Sequence, residues 1–312
     1  MVVSSLTLPE CWGHRGASAA FPENTLASFS AAIRDGAEGI ESDVHVSKDN
    51  VVIMFHDPSL DRTTNVKGLI RDKDWFGDME HARTIKKGLD GHPQPIPTFK
   101  DTVELIMKEG NNHVKFNVDV KVQNDPGHLF VLMREIICAQ PNWETQLAPR
   151  IVLGLWHPKF IGPARRCLPF LRLAHIGMST HIAREYFWET CETFSMSFSS
   201  LLGWEGEKFR EDCAKDGKKV MVWTVNRREE MIEVARWGAS VVLTDVTSDW
   251  LALRAELQRD YGKTFFSASR LFLWTRPNYY RIMQFIASSS ELSRLERIGG
   301  PFEKVLASVQ IA

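Results

Sequence analysis

The stretch that decides the fold is residues 39–57, GIESDVHVSKDNVVIMFHD. After an apolar entry, Glu41 and Asp43 stand two apart. Residues i and i+2 of a strand point to the same side, so these two carboxylates converge. Residues 47–50, SKDN, read as a tight turn, and 51–55, VVIMF, as a return strand that delivers His56 and Asp57. A hairpin that gathers two carboxylates and an imidazole builds a hard-cation site beside a proton-transfer group. An acid-x-acid pair is also the mark of a solvent-facing strand, so the rest of the chain has to decide.

Upstream, residues 11–16, CWGHRG, form a short strand-like run ending at Gly16, with His14 and Arg15 at its C-terminal end. In the following run 26–33, Leu26, Phe29 and Ile33 share one face, and Gly36 closes an amphipathic helix. Downstream, residues 57–97 are rich in glycine, proline and charge. They read as a long insertion with short helical pieces, of the kind that covers a site. A helix from near Thr98 leads to the strand 114–121, VKFNVDVK, where Asp119 and Lys121 are again two apart.

Further strands are expected at 150–156, 171–179, 194–199, 219–226 and 240–247, with a Gly-closed amphipathic helix at 227–238. About eight strands alternating with helices imply an α/β fold, a TIM (β/α)8 barrel. It would carry a small insertion after the second strand and a C-terminal helical tail. The barrel is expected over 8–258 and the tail over 261–312. No G-x-G-x-x-G follows the first strand, which speaks against a nucleotide cofactor. Active sites of this fold lie at the C-terminal ends of the strands. His14, Arg15, Glu41, Asp43, Asp119, Lys121, Trp223 and Asn226 all fall there. Residues scattered by chance would not favour one end, and that agreement decides for a site.

Composition sets the outer bounds. A chain of 312 residues with net charge −1 has no electrostatic footprint for nucleic acid. Five widely spaced cysteines without C-x-x-C imply reduced thiols in an intracellular, cytosol-facing protein. The N-terminus lacks the pattern of a secretory signal. Nowhere is there an uncharged apolar run of the ~18 residues needed to span a bilayer.

The segments H-R-G (14–16), P-E-N-T (22–25), I-E-S-D-V (40–44), H-D-P-S-L-D-R-T-T-N-V-K-G (56–68), D-V-K (119–121), W-T-V-N (223–226) and L-T-D (243–245) occur in this order. Together they resemble the glycerophosphodiester phosphodiesterase family over residues 11–250, and within it the fungal phosphatidylglycerol phospholipases C. The resemblance implies a phosphoric diester hydrolase in which Glu41, Asp43 and Asp119 ligate one divalent cation. All-oxygen ligands favour Mg²⁺ or Ca²⁺. It implies that Arg15 and Lys121 hold the phosphate, that His14 and His56 form the acid/base pair, and that a glycerol hydroxyl of the substrate is the nucleophile. Trp223 is expected as an apolar wall for the substrate. Glu23 stays open between capping the first helix and reaching the site, and His157 reads as a loop residue. Asp119 stands where most of the family carries Glu, and Thr247 where it carries Pro.

Residues 261–290 contain Lys263, Arg270, Arg276 and Arg281, many aromatics and no acid. Such a mixture is typical of a segment lying in a membrane interface. Phosphatidylglycerol hydrolysis to diacylglycerol and glycerol phosphate is therefore the expected activity. Peripheral contact with an anionic membrane, at a mitochondrial, endoplasmic reticulum or lipid-droplet surface, is expected with it. Deacylated glycerophosphodiesters, or lysophospholipids cleaved in the manner of phospholipase D, are the alternative substrates. An inactive lipid-binding barrel is the alternative from another class.

Overall fold

A computed structural model describes residues 7–267 and 276–304. Its strands are β1 (Glu10–His14), β2 (Gly39–Val46), β3 (Val52–Met54), β4 (Arg83–Lys87), β5 (Pro93–Pro95) and β6 (Lys115–Val120). There follow β7 (Ile151–Leu155), β8 (Arg172–Gly177), β9 (Thr193–Ser197), β10 (Lys219–Trp223) and β11 (Val241–Thr244). The early helices are α1 (Leu26–Asp35), α2 (Phe99–Met107), α3 (Pro126–Cys138), α4 (Trp143–Gln146) and α5 (Ile161–Cys167). The later ones are α6 (Thr180–Ile182), α7 (Gly203–Lys215), α8 (Arg228–Arg236), α9 (Thr247–Arg259), α10 (Tyr261–Ser267) and α11 (Arg281–Gly299).

The parallel strands run β1-β2-β6-β7-β8-β9-β10-β11, and β11 pairs back to β1. The sheet is closed, as the sequence implies. Alternation sorts each strand. In β2, Ile40 and Val44 join the core beneath the helices, while Glu41 lines the barrel cavity. In β6, Phe116, Val118 and Val120 face that core, while Asn117 and Asp119 line the cavity. Helix α1 begins at Thr25, whose side chain accepts from the Ser28 backbone N–H in a capping box, and ends at Gly36 with φ 103°.

The hairpin forms as read: β3 runs antiparallel to β2, with Val44 opposite Met54 and Val46 opposite Val52. Its turn closes through Ser47, whose hydroxyl accepts from Val51 N at 2.8 Å. Strand ends are shorter than expected, and β10 stops at Trp223, so Thr224 to Asn226 are loop.

The insertion differs more. It holds a two-stranded hairpin, β4–β5, besides short helical turns. Its Leu60, Ile70, Met79, Ala82 and Ile96 form a second core with Ile53 of β3 and the adjacent Phe55. Lys86 fastens it to the loop after β1 by donating to the carbonyls of Ser18 and Ala19 at 2.7 and 3.1 Å.

Residues 268–275 and 305–312 of the expected tail lie outside the described residues. The remainder folds back over the rim of the barrel. Glu291 accepts from Met178 N at 2.9 Å, and His157 Nε2 lies 2.9 Å from the Gly300 carbonyl. The Phe302 ring packs edge-on against His157. His157 is thus a structural anchor. Among the described residues no helix is long and apolar enough to cross a membrane. All five cysteines are free thiols.

Candidate active site

The C-terminal rim of the barrel opens into a cavity of about 220 Å³. His14, Arg15, Glu41, His56, Asp119, Lys121 and Trp223 all line it. Asp43, 1% exposed, lies directly behind and bonds to Lys121. All eight residues given catalytic, phosphate, substrate or metal roles from the sequence therefore meet at one place, while Asn226, also expected at this end, stands outside the cavity lining and bonds to Asp245.

The three carboxylates come together through strand pairing. Asp43 and Asp119 are direct register partners in the β2–β6 ladder, and His14 and Glu41 are partners in β1–β2. Oxygens of Glu41, Asp43 and Asp119 all lie within 4.8 Å of one another. Burial, then the charge of Asp43, pushes the Glu41 carboxyl up to about 8. Burial would raise Asp43 too, but Lys121 and Arg15 outweigh it and hold its carboxyl well below the usual carboxylate range. Lys121 Nζ sits 2.6 Å from Asp43 Oδ1 and 2.8 Å from Asp119 Oδ2. Asn24 donates to Asp43 Oδ2 at 2.8 Å, and Trp156 Nε1 to Asp119 Oδ1 at 2.8 Å.

Three acids against Lys121 and Arg15 leave negative charge in excess, and repulsion between buried carboxylates is costly unless a cation neutralises it. The donor set is all oxygen, which fits a hard divalent cation. Buried polar atoms without a hydrogen-bond partner point the same way. Arg15 Nε, the Asn117 side-chain amide and Ser195 Oγ belong to residues lining this cavity, and none of these atoms makes a hydrogen bond among the described residues, although Arg15 Nε faces Asp43 Oδ2 at 3.5 Å as an ion pair. Buried polar groups are normally satisfied, so such a cluster marks room for a polar ligand.

Both histidines are held alike. His14 Nδ1 lies 2.7 Å from Asp245 Oδ1, and His56 Nδ1 lies 2.6 Å from Asp57 Oδ1. A carboxylate at Nδ1 fixes the proton there and leaves Nε2 to serve the cavity. Burial would lower His14, but the hydrogen bond it donates to Asp245 and the charge of Glu41 raise it. Burial lowers His56. Asp245 is itself fixed by Ser18 Oγ at 2.7 Å and Asn226 Nδ2 at 2.6 Å.

Arg15 adopts the left-handed region, φ 56°, uncommon for a side chain with a Cβ and a frequent sign of a constrained site. The turn lets Arg15 N donate to Glu41 Oε2 at 3.0 Å while its guanidinium reaches Glu23 Oε1 at 3.0 Å. Glu23 thus reaches the site, and Thr25 does the capping. Arg62 extends the chain, donating to Glu23 Oε1 at 2.7 Å and Asp57 Oδ2 at 2.6 Å. Trp223 packs edge-on against Trp156, centroids 5.7 Å apart, and its Nε1 donates to the Ser195 carbonyl at 2.9 Å.

Sequence reasoning gave no role to Asp245, Asp57, Asn24, Asn117, Ser195 or Trp156. Asp245, Asp57 and Asn24 stand inside recognised segments and Trp156 at the end of the expected strand 150–156, which was the available signal. Arg294 of α11 also lines the cavity, and nothing in its surroundings in the sequence announces it.

A family model described as the glycerophosphoryl diester phosphodiesterase family matches residues 14–248. The chain is 28% identical over 236 residues to a glycerophosphodiester phosphodiesterase of Caldanaerobacter subterraneus subsp. tengcongensis, covering 74% of this chain and 92% of the relative. It is 23% identical over 255 residues to one of Bacillus altitudinis, covering 80% and 100%. Among solved structures, an Oleispira antarctica phosphodiesterase in complex with the product sn-glycerol-3-phosphate superposes with a TM-score of 0.68 at 22% identity, covering 80% and 97%. That likeness is one of fold.

Proposed function

This chain belongs to the glycerophosphoryl diester phosphodiesterase family and is a phosphoric diester hydrolase, and from that premise we propose how its site works and on what. The names of its relatives fit the activity expected as the alternative, glycerophosphodiester hydrolysis, better than they fit phosphatidylglycerol cleavage. We take as substrates diesters in which a glycerol hydroxyl stands vicinal to the phosphate. The observation that carries this reading is the meeting, in one cavity, of two carboxylate-held imidazoles, three buried acids and two cations.

Arg15 and Lys121 hold the phosphate oxygens, Arg15 through a guanidinium whose Nε makes no hydrogen bond among the described residues. A divalent cation held by Glu41, Asp43 and Asp119 would supply Lewis-acid stabilisation of charge on a phosphate oxygen, and either Mg²⁺ or Ca²⁺ suits the donors. One imidazole Nε2 takes the proton of the attacking glycerol hydroxyl, and the other gives a proton to the departing alkoxide. The hydroxyl bonds to phosphorus as the P–O bond to the leaving alcohol breaks, giving a cyclic phosphate that water then opens. An internal nucleophile gains from proximity. Trp223 and Trp156 wall the glycerol.

A second reading, phosphatidylglycerol as the lipid member of this substrate class, is favoured by the tail. On α11 the apolar side chains of Ile282, Met283, Phe285 and Ile286 are 74, 47, 71 and 54% exposed. Arg281 lies beside them, 92% exposed. Such a surface fits peripheral contact with an anionic membrane facing the cytosol.

Glycerol phosphate release should be followed from soluble glycerophosphoglycerol and from phosphatidylglycerol vesicles, each with Mg²⁺, with Ca²⁺ and with chelator. Metal-dependent turnover of both supports the two readings together. Turnover of the soluble diester alone removes the lipid reading, and turnover of neither removes both.

A further inference from the structure

Helix α11 lies outside the segment matched by the family model, which ends at residue 248. It crosses the rim on the side of β7, β8 and β9. Glu291 is pinned to Met178 just after β8, and Gly300 to His157 just after β7. Gly299 makes the approach feasible, since a Cβ there would come within 2.6 Å of the His157 ring.

Between α11 and the loops after β8 and β9 runs a groove of about 430 Å³. Ile182, Leu202, Leu292 and Phe285 supply the apolar share of its surface, the larger one, and Thr180, His181, Glu205, Arg281 and several serines supply the polar share. Met178 lines this groove and also the catalytic cavity, so the two spaces adjoin at one side chain. The inner end of α11 places Arg294 at the cavity, and the outer end carries the exposed Ile282, Phe285 and Ile286. One helix thus borders a polar cavity at one end, a partly apolar groove along its side, and an apolar surface at its far end. A glycerolipid has the same sequence of chemistry: phosphodiester, acyl chain, bilayer.

We infer that the groove beneath α11 holds one acyl chain of a glycerolipid substrate while the catalytic cavity holds its phosphodiester. Met178 is the corner around which the substrate turns, and α11 is a substrate-binding element added to the family barrel. The inference rests on the lipid reading above and deepens it.

The test uses the full chain and two substrates kept monomeric in solution, so that membrane docking does not enter. These are dihexanoyl phosphatidylglycerol and deacylated glycerophosphoglycerol. The quantity read is the ratio of kcat/KM for the acylated diester to that for the deacylated one. Ser288, half-buried on the groove face of α11, is changed to Trp to fill the groove. Phe285→Ser, at a side chain already 71% exposed, removes apolar wall without disturbing packing. Loss of burial for two methylene groups corresponds to about a tenfold fall in the ratio, and a fall of that size is expected for S288W, with a smaller fall for F285S. A ratio unchanged in both variants overturns the groove while leaving lipid hydrolysis intact. Wild-type enzyme that turns over only the deacylated diester overturns the lipid reading and the groove together.

Discussion

His14 Nδ1 lies 2.7 Å from Asp245 Oδ1, across the seam where the last barrel strand closes on the first. The carboxylate fixes the imidazole's tautomer and its aim. Asp245→Asn should therefore lower kcat by about 10²–10⁴-fold while glycerophosphodiester KM and thermal unfolding stay close to wild type. Initial rates on glycerophosphoglycerol check this, and a kcat within threefold of wild type would remove Asp245 from the proton-transfer machinery.

The three buried acids make stability respond to metal. A divalent ion at a hundredfold excess over its dissociation constant adds about 2.7 kcal/mol, or roughly 5 °C in Tm for a chain of this size. Chelator should lower Tm by that amount and abolish turnover, and Glu41→Gln should blunt both responses. Thermal scans with and without EDTA decide it, and coincident curves for the wild type would argue against a resident cation.

His175 offers a pH test remote from the acids. It is fully buried against Phe187, centroids 4.0 Å apart, and burial lowers its pKa from 6.5 to about 3. Above pH 6.5 the ring is neutral in both states. Between the two values the unfolded chain takes up a proton that the folded chain refuses. Stability falls as pH falls, by about 1.4 kcal/mol per unit. His175→Gln should lack this component, so the loss between pH 6.5 and pH 5 should be about 2 kcal/mol smaller than in wild type. Urea melts at the two pH values measure it, and parallel behaviour of the two proteins would contradict the argument.

The internal nucleophile we propose fixes what cannot react. Diacyl phosphatidylcholine has no free hydroxyl next to its phosphate, so choline release from pure vesicles should not exceed the chelated control. Lysophosphatidylcholine, with a free glycerol hydroxyl, is open to the same chemistry. Sustained turnover of the diacyl lipid would require an external nucleophile and a different arrangement of His14 and His56.

How far the sequence could be read follows from the range of the interactions. The i, i+2 spacing of Glu41 with Asp43 and of Asp119 with Lys121 is local and survives into the structure as one inward face. The partner of His14 is 231 residues away, and only barrel closure brings it near. Arg294 was out of reach for the same reason, since the path of α11 depends on contacts of Glu291 and Gly300 with distant loops. The β4–β5 hairpin was hidden for another cause. β5 is Pro93–Pro95 with a proline at each end, a composition that reads as a breaker and is tolerated only at an edge.

Closure between the two ends of the barrel also bears on how the chain is made. Of the barrel strands β1 leaves the ribosome first, and it is flanked in the finished barrel by β2 and β11. With 231 residues between His14 and Asp245, synthesis at ordinary speed leaves one side of β1 without its partner for on the order of 10–50 s. An unpaired strand edge is a template for association with other chains. The growing polypeptide therefore passes through an interval of aggregation risk that ends only when its last strand arrives, and that interval is where a chaperone would matter most.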